Sequence, residues 1–209
     1  MARSLRFLPI LIAVFALFPG STGTTDEAAT FVPAELAPYQ TPSPAKEALV
    51  DDVLARFADH DMAIASPPLV SFHDELDACG GNLAYWRNEE DVDHVRICWT
   101  HEDPGVEAIV QTQALTHEFG HAWVYENTDA QTRAAFVDRT GSTSWADPAD
   151  DWNDRATERA ADLIVWAILD PGALFVDFSV EPCTTWIDAF ELLTGRSAPA
   201  SITDCSAGR

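Results

Sequence analysis

Basic residues are scarce in this chain. Its 209 residues include 12 Lys and Arg against 34 Asp and Glu, a formal charge of −22. A surface of that sign repels phosphate backbones and anionic bilayers, so nucleic acid and membrane surfaces make poor partners. It favours solubility and cationic ligands, although a solvated acidic face suited to the surrounding medium is the plainer account. Long apolar runs are missing beyond the N-terminus, and no internal stretch approaches the roughly 18 apolar residues of a membrane-spanning helix. There are only four cysteines and no C-x-x-C spacing, which argues against thiolate metal ligation. No internal repeat is visible. The acidic residues Asp147, Asp150, Asp151 and Asp154 lack the D-x-D-x-D-G order of a calcium loop. No histidine follows His121.

The ends of the chain are informative. Residues 1–23, MARSLRFLPILIAVFALFPGSTG, place Arg3 and Arg6 before an apolar run from Phe7 to Phe18 and finish in small residues. This is the pattern of a secretory signal peptide, too short for an ordinary spanning helix, with cleavage expected near Gly23–Thr24. An uncleaved anchor is the alternative. No cysteine stands nearby for lipid attachment and no Arg-Arg pair is present, which points to the general export route, a secreted product and no stable membrane association after cleavage. Residues 24–44 are rich in Thr, Ala and Pro and read as a flexible lead-in. Residues 45–209 then form one domain. Four cysteines in an exported chain imply two disulfides. The expected pairs are Cys79–Cys98, stapling two neighbouring strands, and Cys183–Cys205, tying down the tail.

The periodicities predict an α+β fold. AKEALVDDVLARFADHD reads as a helix with Leu49, Val53, Leu54 and Phe57 on one face. A short strand is expected in PPLVSFHDEL, and two strands around an acidic turn in NLAYWRNEEDVDHVRICWT, the second from about His94 to Trp99. A helix should run from Gly105 or Val106 to about Asn127, with Ile109, Leu115, Phe119, Ala122 and Trp123 toward the core. TDAQTRAAFVDRTG reads as a short helix capped by Thr128 or Asp129 and stopped by Gly141. STSWADPADDWND reads as an acidic loop. DRATERAADLIVWAILDPG is a strong helix stopped by Pro171-Gly172, and a last helix lies within CTTWIDAFELLTG.

Chemistry concentrates in ALTHEFGHAWVY, residues 114–125. Positions i and i+4 share a helix face, so His117 and His121 can aim two imidazoles at one ion. Glu118 lies about 100° around the helix, poorly placed as a ligand but within reach of a water on that ion. H-E-x-x-H is therefore a metal-site signature that carries its own general base. A helix bearing two histidines by coincidence is the competing account. Two histidines leave a catalytic ligand set one short. The metzincin extension is absent, because Val124 and Asn127 stand where its glycine and last histidine would fall. The third ligand should then be a carboxylate on a later helix. Glu158 in TERAADLIVW supplies one, with Asp162 as a competing donor one turn on.

H-E-x-x-H followed by E-x-x-A-D resembles the gluzincin group of zinc metallopeptidases, the thermolysin-like class. HEFGHAW and RATERAADLIVWAI also resemble small exported actinobacterial proteins of metallopeptidase type. The resemblance covers about residues 94–170. It implies a minimal zincin-like fold and a Zn2+ ion held by His117, His121 and Glu158. It further implies Glu118 as general base toward a zinc-activated water, Asp162 accepting an N–H from a ligand histidine, and a peptide or protein substrate. The chain lacks the downstream domain of that class and its oxyanion-stabilising histidine. Tyr125, which extends the His117–His121 stripe, and Arg155, one turn before Glu158, are candidates for that role, beside plainer roles in packing and ion pairing. Trp145 and Trp152 either border a cleft or pack in core and loop. His60, His73, His94 and His101 have no ligand spacing. Two other functions fit the same residues: a secreted zinc-binding module without peptidase activity, and an acidic, disulfide-tied interaction protein with no metal.

Overall fold

The computed structural model describes residues 39–89, 92–169 and 183–199, all within one compact unit spanning 33–209. The expected signal peptide, most of the lead-in, the Pro171-Gly172 stop and Cys205 lie outside the described residues, and with Cys205 the Cys183–Cys205 pairing. The elements run α1 (Pro44–Asp59), β1 (Leu69–Phe72), β2 (Ala84–Glu89), β3 (Val92–Ile97), α2 (Pro104–Asn127), α3 (Ala130–Thr140), α4 (Ala156–Ile168) and α5 (Cys183–Thr194). Short 3-10 turns occupy Leu76–Cys79 and Trp152–Asp154. The fold is α+β, and no helix of the described residues is long and apolar enough to cross a membrane.

The sheet has the order β1-β3-β2, with β1 parallel and β2 antiparallel to the central β3. Alternation along β3 buries Asp93, Val95 and Ile97 and leaves His94 and Arg96 partly exposed. Trp86 of β2 stands opposite Val95 in the ladder. Cys79 and Cys98 are joined by a disulfide with a Cα–Cα distance of 6.0 Å. It does not staple two strands as expected. The β2–β3 ladder ends at Ala84↔Ile97, so the bond instead ties the 3-10 turn before β2 to the residue just after β3. A disulfide fits an oxidising compartment.

Asp103 begins α2: its side chain accepts from the backbone N–H groups of Gly105 and Val106, and Pro104 takes the first helical position. Leu115, Phe119, Ala122, Trp123 and Val124 are buried against the sheet and neighbouring helices. Ile109, expected in the core, is 50 % exposed. At that end the buried stripe passes through Gln111 instead, roughly 200° around the helix from Ile109. The Gln111 amide is satisfied by the Trp99 carbonyl and by Lys46 of α1. Of the two candidate caps for α3, Asp129 does the capping, accepting from Thr132 N at 2.7 Å, while Thr128 closes α2. Gly141, in the left-handed region at φ 65°, stops α3.

The loop from Gly141 to Arg155 is folded around two arginines. Arg155 donates to the carbonyls of Asp150 and Pro148, and Arg159 to those of Asn153 and Thr140. It leads directly into α4, whose Ala160, Ala161, Leu163, Ile164 and Val165 are buried. The long α2 packs against α4 at very short range. A Cβ placed on Gly120 would lie 3.2 Å from Ala161 Cα and 3.3 Å from Ala161 O. A side chain at position 120 would push the two helix backbones apart by a few tenths of an ångström.

Two stability outcomes follow from this packing. Gly120→Ala gains about 1 kcal/mol of helix propensity but adds about 1–3 kcal/mol of overpacking against rigid backbone, so it melts below the wild type in a thermal scan. Replacing Cys79 and Cys98 with serine releases a loop of sequence separation 19. That change lowers unfolding free energy by about 3 kcal/mol in denaturant titration.

Candidate metal centre

His117 and His121 sit on successive turns of α2, and Glu158 and Asp162 on successive turns of α4. The Gly120–Ala161 contact holds the two helices close enough for these faces to meet. His117 Nε2 and His121 Nε2 are 3.1 Å apart, and each lies 3.2 Å from Glu158 Oε2. Three ligands bound about 2.0–2.1 Å from a tetrahedral ion stand about 3.3–3.4 Å from one another. The observed triangle is that of a single small cation, slightly contracted. These three residues can hold a metal ion.

The groups behind the triangle differ for the two histidines. Asp162 Oδ1 lies 2.9 Å from His117 Nδ1. A carboxylate can only accept, so the ring carries its hydrogen on Nδ1 and turns Nε2 toward the triangle. Asp162 thus lies behind His117, outside the triangle, and Glu158 is the carboxylate within it. His121 Nδ1 meets the hydroxyl of Thr157 at 3.3 Å. Each imidazole also lies against an indole. Trp86 stacks on His121 with centroids 5.7 Å apart and planes 22° apart, and Trp152 stacks on His117 at 6.4 Å and 20°.

Electrostatics within the cluster are strongly coupled. Burial by itself works against a charged His117, but hydrogen bonds to Asp162 and Glu158 outweigh it and raise the ring well above the ordinary 6.5. Burial likewise opposes ionisation of Glu158, yet hydrogen bonds from His117 and His121 hold it at about 2. Glu118 is 5 % exposed, and burial raises its carboxyl above the usual value, partly offset by His117 and His121. Two imidazole nitrogens and a carboxylate oxygen converging at 3.1–3.2 Å would repel one another without positive charge between them. A proton on the raised His117 or a divalent cation can each supply that charge.

The two candidate oxyanion groups stand outside the triangle. Tyr125 is 48 % exposed and packs its ring on Trp86 at 5.7 Å, with the Arg133 guanidinium over its face. The Arg155 guanidinium is engaged by loop carbonyls and lies over Trp152. Trp152, 47 % exposed, borders the centre, whereas Trp145 is partly buried and packs on Phe136. His73 is buried and paired with Ser71 Oγ, apart from the centre. Sequence reasoning missed Trp86 and Thr157. Thr157 directly precedes Glu158, so helix position alone could have flagged it. Trp86 is recognisable only once the hairpin is placed against α2.

Compared with known proteins, the chain matches no family model, no curated protein and no solved structure. The reading of the centre therefore rests on its own geometry.

Purified protein should carry about one divalent ion per chain by elemental mass spectrometry, and His117→Ala should carry none. Because the ion competes with a proton for His117, whose ring is raised above 6.5, affinity should fall as pH drops through that raised value, with protons released on binding. In the metal-free protein the sign is opposite. A raised folded-state value makes the His117 contribution to stability fully present below 6.5 and lost as pH rises through the raised value, readable as a falling melting temperature.

Proposed function

We propose that this chain is an exported zinc-dependent metallopeptidase of gluzincin type, built on a minimal zincin-like fold, that hydrolyses peptide bonds. The observation that carries the proposal is the 3.1–3.2 Å triangle of His117, His121 and Glu158 with Glu118 buried one residue from it. Borderline-soft nitrogen donors with one carboxylate suit zinc, and this set of three leaves a fourth position open. Zn2+ there would supply Lewis acidity, polarising a substrate carbonyl and acidifying a water molecule.

The remaining work falls to the chain's own residues. Glu118, with its carboxyl raised by burial, takes a proton from the attacking water and returns it to the leaving amine. Asp162 keeps the proton of His117 on Nδ1 through both steps. Among the described strands β2 is an edge, and its Trp86 contacts a ligand ring. An extended peptide pairing with that edge would pass beside the centre. The acidic chain favours peptides of net positive charge. The signal peptide and the disulfide support a secreted setting.

One observation favours a second reading. Arg155 is spent on loop carbonyls and Tyr125 on packing against Trp86, so neither candidate among the described residues is free to serve the oxyanion. A secreted zinc-binding module without hydrolysis is consistent with that.

Glu118→Gln separates the two. Under the peptidase proposal the variant keeps its zinc and loses at least about 100-fold in kcat on a peptide library. A wild type that binds zinc and cleaves nothing in the library supports the module instead. Full activity in the Glu118→Gln variant removes Glu118 from the mechanism.

A further inference from the structure

We propose that Trp86 and Asp93, on the β2–β3 hairpin, act as a positioning relay for the ligand His121. The Trp86 indole sets the plane of the imidazole, and the buried Asp93 carboxylate sets the indole. The inference rests on the metal-centre reading above and adds to it a part of the chain that the helical motif does not contain.

The two ligand histidines are held differently. His117 is oriented by a carboxylate at 2.9 Å, which fixes both its tautomer and its rotation. His121 has only the Thr157 hydroxyl at 3.3 Å behind its Nδ1, a long contact for a hydroxyl and free of charge assistance. Its ring also lies against Trp86, nearly parallel at 22° with centroids 5.7 Å apart, closer than the 6.4 Å between Trp152 and His117. The indole is itself anchored. Trp86 Nε1 donates to Asp93 Oδ1 at 3.0 Å, and Asn88 Nδ2 donates to the same oxygen at 3.0 Å. Strand alternation explains why these groups meet. Trp86 and Asn88 are two apart on β2 and share a face, and Asp93 lies on the buried row of β3 with Val95 and Ile97. Asp93 is only 7 % exposed. A carboxylate buried at that level on an otherwise apolar row costs stability unless its hydrogen bonds are worth more than the aliphatic side chain it displaces.

The stack also has a chemical direction. An imidazole bound to a divalent ion is electron-poor, and the indole face is electron-rich, so contact between them is strongest when metal is present. Donation of the indole N–H to a carboxylate increases the electron density of that ring. Trp86 therefore favours the metal-bound state of His121 over the metal-free state, beyond merely packing against it.

Three variants test this. Trp86→Leu keeps apolar bulk and removes the aromatic face. Trp86→Phe keeps a face and removes the N–H. Asp93→Asn keeps an acceptor oxygen and removes the charge. Zinc affinity is measured by competition with a chromogenic chelator, and ligand geometry by the d–d absorption of the cobalt(II)-loaded protein. Far-UV circular dichroism checks the fold. The expected result is a loss of about 10-fold or more in affinity with an altered cobalt spectrum for Trp86→Leu, and smaller losses for Trp86→Phe and Asp93→Asn. A folded Trp86→Leu variant with wild-type affinity and an unchanged spectrum overturns the relay. If that variant does not fold, the same two readings on Trp86→Phe decide, and wild-type values there overturn it equally. A wild type that takes up neither zinc nor cobalt overturns the metal-centre reading itself, and this inference with it.

Discussion

The close approach of α2 and α4 at Gly120 constrains everything around the centre. The ligand atoms come from two helices, so their spacing is set by how nearly those helices touch. A Cβ at Gly120 would meet Ala161 backbone at 3.2 Å, a few tenths of an ångström inside ordinary contact. Metal–ligand distances tolerate about 0.2 Å. The two tolerances are of the same order, so the packing that forms the core also sets the dimensions of the site. Ala160 and Ala161 serve the same end from the α4 side, with small side chains that let Glu158 and Asp162 reach across.

Placing His117, Glu118, His121, Glu158 and Asp162 together puts several ionisable groups in a poorly solvated space. Hydrogen bonds outweigh that burial for His117 and Glu158, while burial keeps the Glu118 carboxyl raised. Evolved sequences keep such clusters where function requires them, and the surrounding structure has to be strong enough to carry the cost. Here the support is unusually polar as well. Arg155 and Arg159 clamp the acidic loop by its carbonyls, and Arg133 bonds to the Tyr125 and Thr128 carbonyls at the end of α2. In a chain so poor in basic residues, these arginines are used to cap and bridge backbone rather than to neutralise surface carboxylates.

Much of this was legible in the sequence because the decisive signals are local. The i, i+4 spacing of His117 and His121 and the Asp129 and Gly141 ends of α3 are set by residues within a turn of one another; α2, expected from Gly105 or Val106, starts at Pro104 behind the Asp103 cap. Glu158 could be expected because the ligand set needed a carboxylate, and the place of Asp162 beside a histidine came from the resemblance alone; both lie on the face of α4 that meets His117. What could not be read depends on contacts between distant segments. Ile109, expected in the core, is exposed, and Gln111 is buried there because Lys46 of α1 and the Trp99 carbonyl, just after β3, satisfy its amide. Trp86 lay in an expected strand and Asp93 in the expected acidic turn; pairing of β2 with β3 brings the two together, and packing of the hairpin on α2 lays Trp86 on His121. The Cys79–Cys98 pair was legible as a bond, but not its position, since the end of a ladder depends on where pairing stops.

That position has a mechanical consequence. Cys79 precedes β2 and Cys98 follows β3, so the disulfide closes the open end of the hairpin into a covalent ring that contains both Trp86 and Asp93. Hairpins ordinarily fray from the end opposite their turn, and local opening of that kind needs far less free energy than global unfolding. With that end welded, the two arms cannot part where they would otherwise part first. The indole that lies on His121 is thus insulated from the breathing of the sheet edge that carries it.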